Sequence, residues 1–458
     1  MINIRVKIIL LKIFDFLLNE CVVIRLFFAW ALLIVGFFVF LTGKKLLAFG
    51  LFERIHSSGF SKKCISILER WIRLVINNRN DCKSIIYKLS NEFICKYCSQ
   101  LSMSAWIKNP FKLIGSRIFV VKSRCKNEKG VVVIDYSYVF PLFMLLFDVK
   151  KITEKYYIVL EPSWTGFFNL EILSYATLDV PIFIQVSEPR DAIFIDSLKS
   201  NLISVPIAAN WWVDHRTITP DTSIKKDIDL IMIASWSKFK RHWSFFECLL
   251  KLRKQGIMLT VTLVGYPGDI NLNEIKNMAS EIGVIDQIEF FECLSPENVN
   301  KQLNRSKALI LWSRKEGFNR AIIEAMLADL PVIIRDNFNY GYKYPYINDK
   351  TGVYATESNF GEIVTCLLLN LHNYSPREWI MSHMTCQHAT DILQEKISRI
   401  SEGENEKWTR GITVKTGTLN SQKYWNEEDR KFFNNDYEYI ASCMRSNFSQ
   451  TEQDNPRK

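Results

Sequence analysis

The second half of the chain alternates strand-like and helix-like segments, and this alternation restricts the fold more than any other feature. Trp243–Gln255, for example, has apolar residues at helical spacing and stops at Gly256. Strands separated by helices form parallel sheets with helices on both faces. This half is therefore predicted to be a doubly wound α/β domain. Its predicted strands are Leu230–Ser235, Met258–Val264, Gln287–Phe291, Ala308–Trp312 and Val332–Arg335.

A second α/β unit is predicted before it, over about residues 110–210. Gly130–Asp135, Tyr156–Glu161 and Pro181–Ser187 have the composition of buried strands, and each ends in a polar cluster. Ligands of open α/β sheets bind beyond the carboxyl ends of the strands. Polar residues at strand ends are also often simple caps, so both interpretations stay open. The candidates are Asp135, Glu161, Trp164 and Glu188.

The N-terminal region is strongly apolar. Leu26–Gly43 carries no charge, and its length is near the lower limit of about 17–25 residues for a membrane-spanning helix. The segment before it, Val6–Leu18, is apolar with a few charges, as in a helix lying in the interface. We predict a membrane anchor or an embedded helical hairpin. A cleaved signal peptide and a buried core helix are the alternatives.

Charge and cysteine content indicate where the protein is located. The basic residues that follow the apolar run, beginning with Lys44 and Lys45, favour the cytoplasmic side of the membrane. The 11 cysteines are odd in number and scattered, which indicates a reducing compartment. We therefore expect association with the inner (cytoplasmic) membrane, with the catalytic domains in the cytoplasm.

The net charge suggests an anionic partner. The formal charge is +10, which fits contact with a membrane surface or with phosphates. No RNA-binding signature or zinc-finger spacing occurs, so we expect no nucleic-acid partner.

One stretch carries a specific motif. Lys315–Ile334 reads KEGFNRAIIEAMLADLPVII, in which Glu316 and Glu324 are separated by seven residues. Gly317-Phe318 follows the first glutamate, and Pro331-Val332-Ile333 follows the helix that holds the second. This combination resembles the E-x7-E signature of the family 4 glycosyltransferases. Those enzymes have the GT-B fold, in which two Rossmann-like domains face each other.

Further stretches support the resemblance, and others depart from it. Asn348–Gly352 resembles the loop after the next strand of the family, and Trp212–Asp214 resembles its interdomain connector. The resemblance covers residues 208–395 and is only architectural before them. Asn319 stands where the family usually has glycine. Asn337–Tyr346 replaces the usual Gly-Gly-x-x-Glu loop.

The resemblance implies a role for each residue. A diphosphate binds backbone N–H groups at a helix N-terminus together with fixed positive charge. Carboxylates can hold sugar hydroxyls. Glu316 resembles the catalytic glutamate near the donor sugar, and Glu324 resembles the ribose-binding one. The implied donor-binding residues are Lys240, Arg241, Gly317, Phe318, Asn319, Arg320 and Glu324.

The resemblance also implies a reaction. It is transfer of a hexosyl unit, with retention of configuration, from a nucleotide-diphospho-sugar to a lipid-linked or polysaccharide acceptor in cell-surface glycan synthesis. The strand-end candidates of the first domain would lie on the acceptor side, and neither a metal nor another cofactor would be needed. A GT-B nucleotide-sugar 2-epimerase and a catalytically silent GT-B partner of a glycan assembly complex remain alternatives.

The predicted architecture is α/β and GT-B-like: two facing Rossmann-like domains with an N-terminal hydrophobic helical segment. The predicted divisions are a membrane-associated segment at 1–50, an acceptor-side domain at 51–210, a connector at 211–225, a nucleotide-sugar domain at 226–395 and a C-terminal helical tail at 396–458.

Overall fold

The computed structural model describes residues 4–77, 82–100, 105–337, 342–403, 406–417 and 422–445. They form two compact units. Unit 1 combines Met1–Ile24 with Val213–Thr385, and unit 2 combines Arg25–Trp212 with Cys386–Lys458. The helices are α1 Ile4–Asp15, α2 Val22–Leu41, α3 Lys45–Ser58, α4 Lys62–Asn77, α5 Cys82–Gln100, α6 Ala105–Lys108, α7 Val139–Leu146, α8 Val149–Thr153, α9 Leu170–Leu173, α10 Pro189–Ser197, α11 His242–Lys254, α12 Leu272–Ile282, α13 Pro296–Arg305, α14 Arg320–Leu327, α15 Phe360–Leu369, α16 Pro376–His383, α17 Cys386–Gly403 and α18 Asn434–Ser442. The strands are β1 Ile118–Lys122, β2 Gly130–Asp135, β3 Tyr156–Glu161, β4 Ile182–Gln185, β5 Leu202–Val205, β6 Ile228–Ile233, β7 Val261–Gly265, β8 Ile288–Glu292, β9 Ser306–Leu311, β10 Val332–Arg335, β11 Gly352–Ala355, β12 Lys415–Gly417 and β13 Gln422–Tyr424.

Unit 1 is built on a six-stranded sheet in the order β11-β10-β9-β6-β7-β8. All its strand pairs are parallel. The chain starts in the middle at β6, runs outward to β8, returns to β9 and then runs outward to β11. The strand order therefore reverses between β6 and β9, as in a doubly wound fold. The predicted strand–helix alternation is confirmed.

Local signals place the helices of unit 1 where the sequence predicts them. In α12, the Asn271 side chain caps the N-terminus by accepting from the N–H of Glu274, and Gly283 ends the helix in a left-handed conformation. The apolar side chains of Ile275 and Met278 lie one turn apart on its buried face. Because cap, apolar face and terminating glycine are all local, the sequence predicts a helix over Leu272–Ile282, and these are the observed bounds.

Helix α1 packs on unit 1. Ile8 lies in the apolar core of this unit, and the partly buried Leu11 packs against the same core. Lys7 Nζ donates to Glu274 Oε1 of α12 at 2.7 Å, and Lys12 pairs with Glu247 of α11. The described part of the predicted 1–50 segment is therefore divided between the two units, since contacts far along the chain draw α1 to unit 1.

Unit 2 contains a five-stranded sheet in the order β1-β2-β3-β4-β5. Strands β2 to β5 are parallel, and β1 runs antiparallel to β2. Strands β2 and β3 have the predicted bounds. The two edge strands, β1 and β5, are short and were not predicted from the sequence.

The C-terminal region folds onto unit 2. Strands β12 and β13 form an antiparallel pair. The Tyr424 hydroxyl donates to the carbonyl of Val120 at 2.6 Å, and the Tyr156 hydroxyl donates to Asp436 at 2.6 Å. The structure thus differs from the predicted helical tail at 396–458, since described residues there include strands and contribute to the core of unit 2. The charged, helix-like composition of that region concealed these contacts, which are long-range.

Helix α2 is apolar on nearly all sides. Only Ala29, Leu33 and Gly36 are buried, one turn apart on one face, and Gly36 lies against the ring of Phe52. Among the described residues, α2 is the one helix long and apolar enough to cross a membrane. The predicted N-terminal hydrophobic helical segment is therefore present.

Gly352 allows a close approach between β10 and β11. A Cβ atom at this position would overlap the carbonyl oxygen of Val332. We expect Gly352→Ala to destabilise the protein by about 1–3 kcal/mol because the sheet must move to accept the methyl group. The matched control is Gly50→Ala in α3, where no atom lies within 4 Å of the added Cβ; it should raise stability by about 0.5–1 kcal/mol. Thermal unfolding followed by circular dichroism tests both, and an unchanged Tm for Gly352→Ala would contradict the strand register.

Candidate active site

The loops that follow β6 and β9 lie side by side at the carboxyl edge of the unit 1 sheet. These strands are parallel neighbours, but their onward connections run to opposite sides, to β7 and to β10. The backbone N–H of Arg314, after β9, donates to the carbonyl of Phe239, after β6, at 2.8 Å. Where such connections diverge, open α/β sheets form a crevice that binds ligands.

An ion pair joins the two loops. Lys240 Nζ donates to Glu316 Oε1 at 2.6 Å, and both side chains are buried. The Ser313 hydroxyl also donates to Glu316 Oε1. Charges tolerate burial only when they are paired and hydrogen-bonded. A cation and a carboxylate are therefore fixed together at the edge of the sheet, and they are two of the residues that the sequence assigns to the donor site.

The turn before α11 separates the side chains of Lys240 and Arg241. Lys238–Lys240 forms one 3₁₀ turn, and Arg241 then adopts a left-handed conformation with φ 58°. A side chain in this region of φ is unusual and strained. Because the backbone reverses at Arg241, the two side chains point in different directions. Lys240 pairs with Glu316, whereas the guanidinium of Arg241 pairs with Asp15 and Glu357. Of the two predicted basic residues, the structure brings only Lys240 to Glu316.

Asn319 caps the helix that starts between the two glutamates. Its side chain accepts from the backbone N–H of Ile322 at 3.1 Å, and its own backbone is extended, as expected at an N-cap. Helix α14 then begins at Arg320. The first N–H groups of a helix carry partial positive charge, which favours an anion. Asn319, where the family usually has glycine, is thus explained as a capping residue.

Gly317 and Phe318 form the loop that leads into this helix. The carbonyl of Gly317 accepts from the Tyr344 hydroxyl at 3.2 Å. Tyr344 stacks on Tyr346, with ring centroids 4.8 Å apart. Both tyrosines belong to the segment that replaces the family's glycine-rich loop. Through the hydrogen bond of Tyr344 they stabilise the backbone next to Glu316. Residues 338–341 of that segment lie outside the described residues.

Glu324 lies one turn into α14 and is partly exposed. Burial raises the pKa of its carboxyl group, and the charge of Arg320 opposes this rise. Arg320 Nε lies 3.8 Å from Glu324 Oε1, at the i,i+4 spacing on one face of the helix. The helix therefore presents a cation and a carboxyl group together near its N-terminus.

Three arginines form a cluster at the carboxyl ends of β6, β9 and β10. The arginine cluster consists of Arg241, Arg314 and Arg335, and each of these side chains is only 5% exposed. Glu357, after β11, accepts from Arg241 and from Arg335 at 2.7 Å each. Burial raises the pKa of Glu357, but Arg335 and Arg241 outweigh it and hold the pKa at about 2.

Two further carboxylates of the cluster come from the N-terminal region. Asp15 pairs with Arg241 and, at 2.8 Å, with Arg314. Glu20 lies 2.6 Å from Arg314 and 3.0 Å from Arg335. Neither acid was predicted from the sequence as a functional residue. The available signal was weak: each is a lone acid in an otherwise apolar segment.

The four candidates of unit 2 occupy different surroundings. Asp135 and Glu161 are paired neighbours at the ends of β2 and β3. Asp135 accepts from Arg117 at 2.6 Å, and Glu161 lies 2.7 Å from Lys415 of β12.

Burial raises the pKa of Glu161, an effect that Lys415 opposes and Asp135 reinforces. Glu188 is buried and lies 2.5 Å from Arg190, whereas Trp164 is exposed. Three of the four therefore hold internal ion pairs.

Asp227-x-Asp229 has the spacing of a metal-binding D-x-D sequence, but it precedes a strand, which indicates a solvated strand entrance. The two aspartates lie at the amino end of β6, at the edge opposite the candidate site. Asp227 pairs with Arg305 at 2.9 Å, and Asp229 pairs with Lys307 at 2.7 Å. Among the described residues, no three His, Cys, Asp or Glu side chains are grouped so that they could hold a metal ion.

The capping role of Asn319 leads to a stability prediction. We expect Asn319→Ala to destabilise the protein by about 1 kcal/mol, since the N–H of Ile322 loses its acceptor. Asn319→Ser keeps an acceptor, and Asn319→Gly should cost only a few tenths of a kcal/mol. In thermal unfolding, the Asn319→Ala variant should have a lower Tm than the Asn319→Gly and Asn319→Ser variants. Equal values for the three variants would mean that this cap does not stabilise α14.

The sequence of unit 1 matches a family model described as glycosyl transferases group 1, over residues 214–380. No curated protein matches the chain. Solved structures that resemble it include a sucrose-phosphate synthase from Thermosynechococcus elongatus, with 12% identity over 60% of this chain and 74% of that one and a TM-score of 0.47.

TarM is similar at 16% identity over 58% of this chain, with a TM-score of 0.46. The pneumococcal O-GlcNAc transferase GtfA, solved with UDP and GlcNAc, is similar at 13% identity over 56%, with a TM-score of 0.43. The aligned region spans 54% of the TarM chain and 55% of the GtfA chain. The family match over residues 214–380 supports a transferase, and the two sheet-containing units agree with the predicted GT-B-like α/β fold.

Proposed function

We propose that this protein is a retaining, membrane-associated hexosyltransferase that resembles the family 4 enzymes. It would transfer a hexosyl unit from a nucleotide-diphospho-sugar to a lipid-linked or polysaccharide acceptor at the cytoplasmic face of the inner membrane, in cell-surface glycan synthesis. The observation that carries the proposal is the buried Lys240–Glu316 pair, which lies where the β6 and β9 connections diverge. This pair offers a cation and a carboxylate at the position where open α/β sheets bind ligands.

The donor would be held by the loops around this pair and by α14. The N–H groups at the start of α14, together with Lys240 and Arg320, suit a diphosphate, because each contributes positive charge. Glu324 would accept from the ribose hydroxyls and Glu316 from the hydroxyls of the donor sugar. Gly317 and Phe318 would lie against the sugar. Arg241 would act on this site through its neighbours, since its own side chain is engaged by Asp15 and Glu357.

The reaction breaks the bond between the anomeric carbon and the diphosphate oxygen, and it forms a bond from an acceptor oxygen on the same face. Negative charge grows on the departing diphosphate, and Lys240 and the α14 N-terminus would stabilise it. The departing phosphate oxygen can take the acceptor's proton, so no separate base is proposed. In this scheme the protein's fixed charges take the place of a metal ion.

The acceptor would bind to unit 2, near the carboxyl ends of its strands. Trp164 is the exposed member of the four candidates there, and an aromatic ring gives a sugar a flat apolar surface. Asp135, Glu161 and Glu188 would support this surface through their ion pairs with Arg117, Lys415 and Arg190.

The roles of the two glutamates can be tested separately. Glu324→Ala should weaken binding of the nucleoside diphosphate, whereas Glu316→Gln should abolish transfer and largely preserve this binding. The matched control is Glu362→Ala, an exposed glutamate on α15. A thermal-shift screen with UDP, GDP, ADP and dTDP would first identify the base, because a ligand that binds the native state stabilises it.

Transfer is then measured with radiolabelled nucleotide sugar and membrane extract. Full nucleotide affinity in Glu324→Ala would contradict the site. Conversion of the nucleotide sugar to its 2-epimer without an acceptor would instead indicate an epimerase, and binding of none of the four diphosphates would indicate a catalytically silent protein.

Membrane association is proposed to depend on the exposed face of α2. Ile34 and Phe38 lie one turn apart on it and are 67% and 66% exposed. We expect the Ile34→Glu/Phe38→Glu variant to move from the membrane to the soluble fraction, since an acidic side chain at a bilayer centre costs about 2.5–3.5 kcal/mol. Leu369→Glu is the control, because Leu369 is 75% exposed on another helix. A wild-type protein found in the soluble fraction would contradict the proposal.

A further inference from the structure

Among the described residues, the arginine cluster reaches charge balance only when carboxylates of the N-terminal region join Glu357. Within the sheet of unit 1, Glu357 is the carboxylate that pairs with these arginines. Asp15 and Glu20 supply the other two negative charges, from the end of α1 and the π-helical turn that follows it. Together the six groups sum to zero. Without the two N-terminal acids, three buried guanidinium groups would share one carboxylate.

The cluster is sensitive to this balance because its cations are buried close together. Burial lowers the pKa of Arg241, the charges of Arg335 and Arg314 lower it further, and Glu357 only partly opposes them, which leaves it at about 9. Repulsion between the arginines therefore adds to the cost of burying Arg241. In addition, Arg241 Nε and Arg314 Nη1 are buried and have no hydrogen-bond partner. Removal of a carboxylate from such a site leaves buried charge that nothing compensates.

Two arginines of the cluster lie on the loops that hold the candidate donor site. Arg241 directly follows Lys240, and Arg314 lies two residues before Glu316. The N–H of Arg314 also donates to the carbonyl of Phe239, which joins the loops through their backbones. A displacement of either guanidinium would therefore move the loop that carries Lys240 or Glu316.

We propose that Asp15 and Glu20 are positioning residues for the donor site: by neutralising the arginine cluster they hold the loops that carry Lys240 and Glu316. This inference rests on the proposed function of those two residues. It assigns α1 and the turn after it to the nucleotide-sugar site, although the sequence indicated only membrane association for this segment. No contact of Asp15 or Glu20 with the substrate is required.

The attachment of α1 to unit 1 is separable from this effect. Lys7 pairs with Glu274, Arg5 pairs with Glu281, and Ile8 is buried in the core. These contacts lie on α12 and do not involve the arginine cluster. Glu274→Gln therefore removes an ion pair of α1 and leaves the charge of the cluster unchanged, which makes it the matched control.

The experiment uses the full chain in detergent and compares wild type, Asp15→Asn/Glu20→Gln and Glu274→Gln. Hydrogen–deuterium exchange is followed in residues 235–241 and 312–319. Binding of the UDP, GDP, ADP and dTDP panel is measured by calorimetry. In the double variant, we expect faster exchange in both loops and about tenfold weaker binding, a typical size for coupling between two sites. Glu274→Gln should keep wild-type exchange in these loops and wild-type affinity.

Three further variants separate the effect of charge from an effect on folding. Glu20→Gln is a milder change for the case in which the double variant fails to fold, and it should show the same effects at smaller size. Glu20→Gln/Arg335→Gln removes one charge of each sign, so it should regain slow exchange in the loops if charge balance is the cause. Asp15→Glu, which keeps the charge, should resemble wild type.

Unchanged exchange in both loops of the double variant, or equal effects in Glu274→Gln, would overturn the inference. If wild type binds none of the four diphosphates, the proposed function fails, and the exchange data alone decide whether the two acids order the loops. If wild type binds one of them and the double variant binds it equally well, the positioning role fails while the proposed function stands.

Discussion

Strand β6 hydrogen-bonds to β9 on one side and to β7 on the other, and the candidate site depends on this arrangement. Since the connections after β6 and β9 leave in opposite directions, they open a crevice at the edge between the two strands. Polar groups that end these strands must therefore pair with each other or with a ligand. Lys240 and Glu316 pair with each other, and the backbone bond from Arg314 to Phe239 keeps their loops in register. The N-terminus of α14 follows within four residues of Glu316, which adds a local anion-binding group to the same edge.

Much of unit 1 could be predicted because its signals are local. The bounds of α12 follow from a cap, a buried apolar face and a terminal glycine, all within 13 residues. Strand β10 follows from Pro331 and a β-branched run. The edge strand β1 and the pair β12–β13 could not be predicted in this way. Their residues become strands through partners far along the chain, as when Tyr424 of β13 donates to Val120 of β1.

Local sequence signals are also insufficient to predict the partners of single residues in the candidate site. Lys240 and Arg241 are adjacent and equally basic, so the sequence treats them alike. The left-handed conformation of Arg241 sends them to different carboxylates, and composition does not encode that backbone angle. Asp15 lies 226 residues from Arg241 and 299 from Arg314. At such a separation, the sequence alone does not show which acidic residue pairs with which basic residue.

Helix α1 shows why an amphipathic pattern does not by itself identify the buried face. Its few charged residues would normally be assigned to the solvent side and its apolar residues to a core or a membrane. In the structure, Lys7, Lys12 and Asp15 all pair with side chains of unit 1. Ile9, Ile13 and Phe14 are exposed on the helix. The face of α1 that contacts protein therefore carries charged as well as apolar residues, since Ile8 is buried in the core of unit 1 and the receiving surface offers buried arginines and half-buried glutamates. The proposed membrane association would give these exposed apolar side chains a lipid environment, in which they carry no hydrophobic penalty. Under the two proposals, one side of this helix would contact lipid, and Asp15 on the other side would balance charge in the arginine cluster.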